Sequence, residues 1–179
     1  MIADIQQWVA GLIAAHPQLA AAGLKVDNSI AQAAAKLAGQ QVPADARGIV
    51  LEDGTFPKTP GLEGALGAPG LAIVVWHIGN LGLIDTSKSG VCNMQLYIAI
   101  VVQENAAVNR AQGGTGIVAE KAYEYVCQAI LGKRMDSDPI NTAILPHHEP
   151  FDNLGTNNGV WSIVGNFTKQ YRINPALTN

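Results

Sequence analysis

The chain has 179 residues, of which 48% are hydrophobic and only 14% are charged. This length fits one compact domain, residues 1–179, but the charged share lies well below the value of about 25% that is typical of soluble domains. A net charge of −3 and the lack of any Lys/Arg run exclude the basic footprint of a nucleic-acid-binding protein.

A surface this poor in charge has two interpretations. Large neutral or apolar patches on a soluble protein usually mark contacts with other chains, which favours self-assembly. Alternatively, alanine and glycine dilute the charge without forming a patch. Composition alone does not decide between them.

The N-terminal segment predicts an amphipathic helix of about four turns that ends before Pro17. Asp4, with no basic residue ahead of the apolar positions, does not fit a signal peptide. No apolar run approaches the ~20 residues that span a bilayer. We therefore expect synthesis in a cytoplasm and no membrane contact. The apolar positions at helical spacing are Ile2, Ile5, Val9, Leu12 and Ile13.

The segment that follows, up to Gly70, alternates ordered and irregular patterns. Asn28–Gly39 is rich in helix formers and predicts a short helix. Gly48–Glu52 predicts a short strand, followed by a turn at Asp53-Gly54. The Gly/Pro-rich stretch Thr55–Gly70 predicts an extended arm or loop.

Two long strands are expected next. Leu71–Ile78 is an almost continuous apolar run, and Val91–Gln103 is the second, joined to the first by the polar loop Asp85–Gly90. His77 falls inside the first run, where a core or strand-end histidine is expected in preference to a catalytic base.

A well-marked helix follows a glycine-rich turn. Gly113–Gly116 precedes an apolar helical face that runs from Val118 to Ile130, with Thr115 as the predicted N-cap and Gly132 as the C-terminal residue. Thr142–Leu145 then predicts a short strand and Val160–Ile173 a long one. This order predicts an α+β fold, a mostly antiparallel sheet with helices on one face and an extended Gly/Pro-rich arm.

The possible reactive groups favour structural explanations. The Gly113–Gly116 turn lacks the lysine of a P-loop and matches the dinucleotide pattern poorly. The cluster His147-His148-Glu149 predicts a solvated loop, because adjacent side chains on an extended chain point to opposite faces and do not share one ion. The sequence therefore predicts no catalytic, cofactor or metal site.

Other polar groups give the same result. Glu120 and Glu124 lie off the apolar helical face, which indicates a solvent or interface side. Cys92 and Cys127 have no CxxC spacing and fall within apolar elements, which predicts buried thiols. A small hydrolase or transferase using His147 or His148 is kept as the enzyme alternative.

The order of motifs resembles the tail-terminator family of contractile-tailed phages such as Mu and, more distantly, the lambda U protein. The resemblance covers the first helix and roughly the last hundred residues. It leaves residues 18–70 poorly matched, and the Gly/Pro-rich stretch has no place in it. The segments that carry it are IADI near the start, YIAIVVQEN, AAVNRAQGGTG, IVAEKAYEYVCQAILGKR and VWSIVGNFTKQYRI.

This resemblance implies a non-enzymatic virion protein, assembled in the host cytoplasm and located at the head-proximal end of a tail. It implies a homohexameric ring that ends tail tube growth and offers a docking surface to the neck. Its partners would be the tube, the sheath protein and a neck or connector protein, with DNA passing through the lumen without specific binding. Another connector, neck or baseplate adaptor is the alternative.

A ring requires two different patches that meet under rotation. We expect the Gly/Pro-rich arm and the polar joint, defined as residues Gln103–Gly114, to supply these patches, with solvated loops as the alternative for both. The candidate interface residues are Gln103, Glu104, Asn105, Asn109, Arg110, Gln112, Gly113 and Gly114.

Overall fold

A computed structural model describes residues 2–27, 48–51, 70–86, 92–112, 114–136, 142–157 and 160–173. Three predictions lie outside these residues: the helix Asn28–Gly39, the Asp53-Gly54 turn, and the Gly/Pro-rich arm up to residue 69.

The described residues form four helices and six strands. The helices are α1 Ile2–Ala14, α2 Pro17–Ala21, α3 Ala106–Asn109 and α4 Ala119–Ile130. The strands are β1 Lys25–Asp27, β2 Gly48–Leu51, β3 Leu71–Thr86, β4 Cys92–Asn105, β5 Leu145–Asn157 and β6 Val160–Ile173.

The strands build one sheet in the order β1-β2-β3-β4-β6-β5. The long strands β3, β4, β6 and β5 pair antiparallel, whereas the short β1 and β2 add parallel at the β3 edge. The predicted α+β class with a mostly antiparallel sheet is therefore confirmed.

The two faces of the sheet carry different side chains, because successive residues of a strand point to opposite sides. One face packs against α1 and α4 in the main core, which includes Ile98 and Ile100 of β4 and Phe167 of β6. The other face carries a second buried cluster of small residues: Ala72, Val74, Val101 and Val164. The middle of the sheet is thus buried on both faces, which explains the continuous apolar run at the start of β3.

The N-terminal helix forms as predicted. Ile5, Val9 and Ile13 are buried along one side of α1. Pro17 ends the pattern by opening α2 at its first helical position, where its missing N–H has no consequence. The predicted strands at Gly48 and at Val160–Ile173 are also confirmed.

Strand β3 is longer than predicted. The prediction ended this strand at Ile78, but β3 stays paired with β4 as far as Thr86 and includes Gly79, Asn80 and Gly82. Register shifts between Val75 and Ile78, Asn80 and Gly82, and Leu83 and Asp85 interrupt the pairing. These irregularities accommodate the glycines within the strand, as bulges commonly do.

Strand β5 also differs from its prediction. Residues 142–144 are not a strand, and β5 begins only at Leu145. Among the described strands it lies at the edge of the sheet and pairs only with β6. An edge position tolerates Pro146 and Pro150. These two prolines are the reason why the sequence did not predict the strand.

Lys169 of β6 is buried on the side that faces α1. Its side chain is only 1% exposed. Its Nζ donates a hydrogen bond to the Thr142 carbonyl oxygen and lies 5.8 Å from the centre of the Trp8 ring. The ammonium group thereby joins α1, β6 and the segment that leads into β5.

Candidate functional site

The joint connects the end of β4 to α4 and contains α3. The structure separates the predicted interface residues into three groups. Gln103, Glu104 and Asn109 are buried, Asn105 and Gly114 are partly buried, and Arg110 and Gln112 are exposed. Gly113 lies outside the described residues.

Glu104 is the centre of the joint. Its side chain is 1% exposed. Oε1 accepts hydrogen bonds from Asn109 Nδ2 at 2.9 Å and from Arg110 Nε at 3.1 Å. Oε2 accepts one from the backbone N–H of Ala119 at 2.9 Å, and Arg110 Nη2 lies 3.5 Å away. One carboxylate therefore ties together β4, the loop after α3, and the first residue of α4.

These donors keep Glu104 ionised. Burial by itself would raise the pKa of the carboxyl group. The hydrogen bonds from Arg110, Asn109 and Ala119, with the positive charge of Arg110, outweigh burial and lower the pKa below its ordinary value of 4.5. The hydrogen bond and the negative charge of Glu104 raise the pKa of Arg110 in turn.

Glu104 also replaces the predicted N-cap of α4. The cap position is Val118, which has no side-chain hydrogen bond to give, so the prediction of Thr115 is wrong. A carboxylate from a neighbouring strand accepts from the free amide instead and lies at the positive end of the helix dipole.

Asn109 holds the loop between α3 and α4 together by hydrogen bonds. Its Nδ2 donates to the Ile117 carbonyl oxygen at 2.8 Å, and its own carbonyl oxygen accepts from the Gly116 N–H at 3.0 Å. Thr115 Oγ1 donates to Asn109 Oδ1 and accepts from the Ile117 N–H at 3.2 Å. The predicted cap residue is therefore part of the loop's own network.

This network bears on whether the glycine-rich turn could bind an anion. An anion site at a helix start needs free amide groups. The Ala119 amide already donates to the Glu104 carboxylate, which occupies the position that a bound phosphate would take. The turn is built to direct the chain into α4, with Gly116 in the left-handed region at φ +68°.

Gln103 points to the opposite face of the sheet. Its Nε2 donates to Ser162 Oγ at 3.2 Å, and its buried Oε1 accepts no hydrogen bond from any described residue. Both Gln103 and Glu104 are thus used inside the chain, which corrects the expectation that they offer their side chains to a neighbouring subunit. Arg110 and Gln112 remain as outward-facing residues.

The burial of Glu104 had a signal in the sequence. Leu96, Ile98, Ile100 and Val102 alternate along β4 and all face the helices, so the same period of two places Glu104 on that side. The prediction used the polar character of the joint and did not extend the strand period by one step.

The other candidate reactive groups lie apart from the joint. His147 packs edge-on against the Tyr97 ring, with 5.5 Å between ring centres. The prediction of a loop for His147-His148-Glu149 is wrong, because these residues belong to β5, at the register shift between Pro146 and Phe151. The described residues contain no group of three His, Cys, Asp or Glu side chains able to hold a metal ion.

The predicted outward face of α4 is confirmed. Glu120 and Glu124 are exposed, and Lys121 Nζ pairs with Glu124 at 2.6 Å. Cys127 is half-buried on the inner side. Burial raises the pKa of its thiol more than the hydrogen bond with Tyr123 lowers it, which disfavours the thiolate. The side chains of Cys92 and His77 are outside the described part.

A scan against protein-family models found no match, and no curated protein matched the chain. Within the described part of the chain, no helix has both the length and the apolar character needed to cross a membrane.

Proposed function

We propose that the chain is a structural virion protein that forms a ring at the head-proximal end of a phage tail, where it stops tube growth and offers a docking surface to the neck. The observation that carries this proposal is the order of motifs that resembles the tail-terminator family. A self-assembling chain also accounts for the low charge content.

The segments that carry the resemblance are in contact in the fold. Helices α1 and α4 share one core with β4 and β6, and Glu104 joins β4 to α4 through the joint. The motifs therefore belong to one structural unit, which supports treating their order as a single signal.

The function requires no catalysis from this chain. Of the acidic groups placed above, Glu120 and Glu124 are exposed on α4 and Glu104 is engaged in the joint. The proposed partners are further copies of the chain, arranged as a hexamer, together with the tail tube, the sheath and a neck or connector protein. DNA would pass through the lumen without specific contacts.

The test is a capping assay on tail tubes. Purified protein is mixed with tubes grown from the tube protein of the same phage, and tube ends are imaged by negative-stain electron microscopy. We expect a closed ring at one end of each tube and tubes that stop lengthening. A protein that stays monomeric in light scattering and never associates with tube ends would contradict the proposal.

Labelling of the protein on whole virions separates the alternatives. A label at the junction of tail and neck supports a terminator. A label confined to the head side or to the baseplate identifies a connector or a baseplate adaptor instead.

A further inference from the structure

The segment between β4 and α4 buries little apolar surface. We call residues 106–118 the connection. Among its described side chains, only that of Asn109 is fully buried, and the others are partly or fully exposed. Ile117 packs against the main core, but it is only partly buried. Hydrophobic packing therefore holds this segment weakly.

The backbone hydrogen bonds that shape the connection are local. Gly114 N–H donates to the Ala111 carbonyl oxygen at 3.0 Å, and Gly116 N–H donates to the Asn109 carbonyl oxygen at 3.0 Å. Both bonds join residues of the connection itself. They give the loop its shape but do not fix it to the sheet.

Glu104 of β4 supplies the polar attachment to the sheet. Its carboxylate accepts from Asn109 Nδ2 and Arg110 Nε on the connection, and from the Ala119 N–H at the start of α4. Asn109 and Arg110 thus reach the sheet through one acceptor. Because the Glu104 side chain is 1% exposed, water does not take the place of these donors while the loop is closed.

The charged groups around this carboxylate are few. Arg110 is the described cation that faces Glu104, and the carboxylate of Glu120 acts in turn on Arg110. The strand residues in register with Glu104 are Leu71 of β3 and Trp161 of β6, which do not titrate. Among the described groups, acid therefore changes the attachment chiefly at Glu104 itself.

We propose that the connection is a local folding unit latched by the ionised Glu104 carboxylate. It opens while the sheet and the main core stay folded, and acid raises the population of the open form. A segment with little apolar burial opens at a lower free-energy cost than the whole domain. Opening frees Asn109 and Arg110 from the carboxylate and exposes Glu104 to water.

The direction of the acid effect follows from the donors around Glu104. In the closed form they hold the pKa of the carboxyl group below 4.5, whereas in the open form the group faces water and its pKa returns towards that ordinary value. The latch is therefore at full strength above about pH 4.5 and weakens as the pH falls through the closed-form pKa. A protonated carboxyl group accepts weaker hydrogen bonds than a carboxylate does.

The test is hydrogen exchange of the full chain, followed by mass spectrometry and corrected for the intrinsic rate of each peptide. In the natural chain, the connection should exchange about tenfold or more faster than β4 and β6. Urea below the unfolding transition should speed exchange of the strands and leave that of the connection nearly unchanged, because a local opening exposes little surface. If the connection and the strands share one rate and one urea dependence, no local unit exists and the proposal is overturned.

Glu104→Gln tests the latch at neutral pH. It should speed exchange of the connection by about 5–30-fold, because the buried donors lose their charged acceptor. Glu120→Gln is the matched control: it makes the same chemical change at an exposed position one residue beyond Ala119 and should alter the rate by less than about twofold. Circular dichroism checks that both variants keep the fold. If Glu104→Gln exchanges no faster than the natural chain, Glu104 is not the latch.

Acid gives a second readout, with Arg110→Gln as a milder variant because Arg110 is 54% exposed. Between about pH 7 and pH 3, corrected exchange of the connection should speed up most in the natural chain, less in Arg110→Gln and least in Glu104→Gln. The reason is that Arg110 supplies part of the lowering of the Glu104 pKa. An equal response in all three proteins would overturn the acid dependence.

The inference does not rest on the proposed function. A chain that never caps tail tubes would overturn that function and leave the exchange pattern as evidence for the latch. Rings on tubes, with a connection that exchanges together with the strands, would overturn the latch alone.

Discussion

Glu104 shows how much one buried carboxylate can organise. It accepts from a side chain of α3, from the following Arg110, and from the first amide of α4. A buried acceptor of this kind stabilises a fold only while its donors are in place, since each lost partner leaves a group that water cannot reach. The joint is therefore expected to open or close as a unit.

Replacing Glu104 by glutamine should destabilise the protein by about 1–3 kcal/mol at neutral pH. A neutral amide accepts weaker hydrogen bonds, and its NH₂ group would face other donors with no acceptor to bind. Urea unfolding at pH 7 measures the loss. Asp136→Asn makes the same chemical change at an exposed position and should shift the midpoint very little.

The effect should depend on pH with a definite sign. The pKa of Glu104 is lower in the folded chain than its ordinary value of 4.5. The folded state therefore takes up this proton at a lower pH than the unfolded state does. The stabilisation is complete above the unfolded pKa and is lost as the pH falls through the folded one. The difference between the natural chain and Glu104→Gln should therefore shrink below about pH 4.5; a difference that grows on acidification would contradict this assignment.

At the scale of elements, α4 approaches the sheet closely at one glycine. A Cβ at Gly165 of β6 would lie 2.4 Å from Tyr123 Cε2 and 2.9 Å from Phe167 Cε2. The Tyr123 ring is therefore seated on the backbone of the strand. Burial there raises the pKa of the Tyr123 hydroxyl, which hydrogen-bonds with Cys127.

Gly165→Ala should destabilise the protein by about 1–3 kcal/mol, since the added methyl forces the tyrosine away from the sheet. Gly11→Ala in α1 is the matched control. Its Cβ meets nothing within 4 Å, so alanine should stabilise the helix by about 0.5–1 kcal/mol. Thermal unfolding of both variants gives the two signs, and Tyr123→Ala combined with Gly165→Ala should remove most of the clash. A Gly165→Ala protein as stable as the natural chain would contradict this packing.

The elements that were predicted correctly share a strong local pattern. Helix α4 has a continuous apolar face, and β6 alternates along most of its length, so the hydrophobic period alone was enough to predict both elements. The errors occurred where distant partners decide the structure. The proline-containing β5 became a strand because β6 pairs with it, β3 ran past its glycines because β4 continues, and α4 took its cap from Glu104 on another element.

In the candidate site, too, local pattern was predictable and distant contacts were not. The sequence located the joint, since a polar segment between a strand and a helix is visible as such. It did not distinguish the inward Glu104 and Asn109 from the outward Arg110, because that distinction depends on the donors that surround each group. Nor did it indicate Lys169, whose ammonium is buried beside Trp8 and Thr142.

At the scale of the whole molecule, the low charge content is more pronounced on the surface than in the composition. The chain has 11 basic and 14 acidic residues, and Glu104 and Lys169 are both buried. The surface is therefore poorer in charge than the composition implies. With few exposed charges, repulsion between copies of the chain is weak, which favours self-assembly.

If the chain assembles into a ring, its stability must depend on concentration. Binding of neighbouring copies to the folded state alone raises the unfolding temperature by mass action. Scanning calorimetry over about a hundredfold range of protein concentration should show an unfolding temperature that rises with concentration for the natural chain. A flat profile for the natural chain, measured where light scattering reports rings, would mean that the contact between copies contributes too little free energy to hold a ring on a tail.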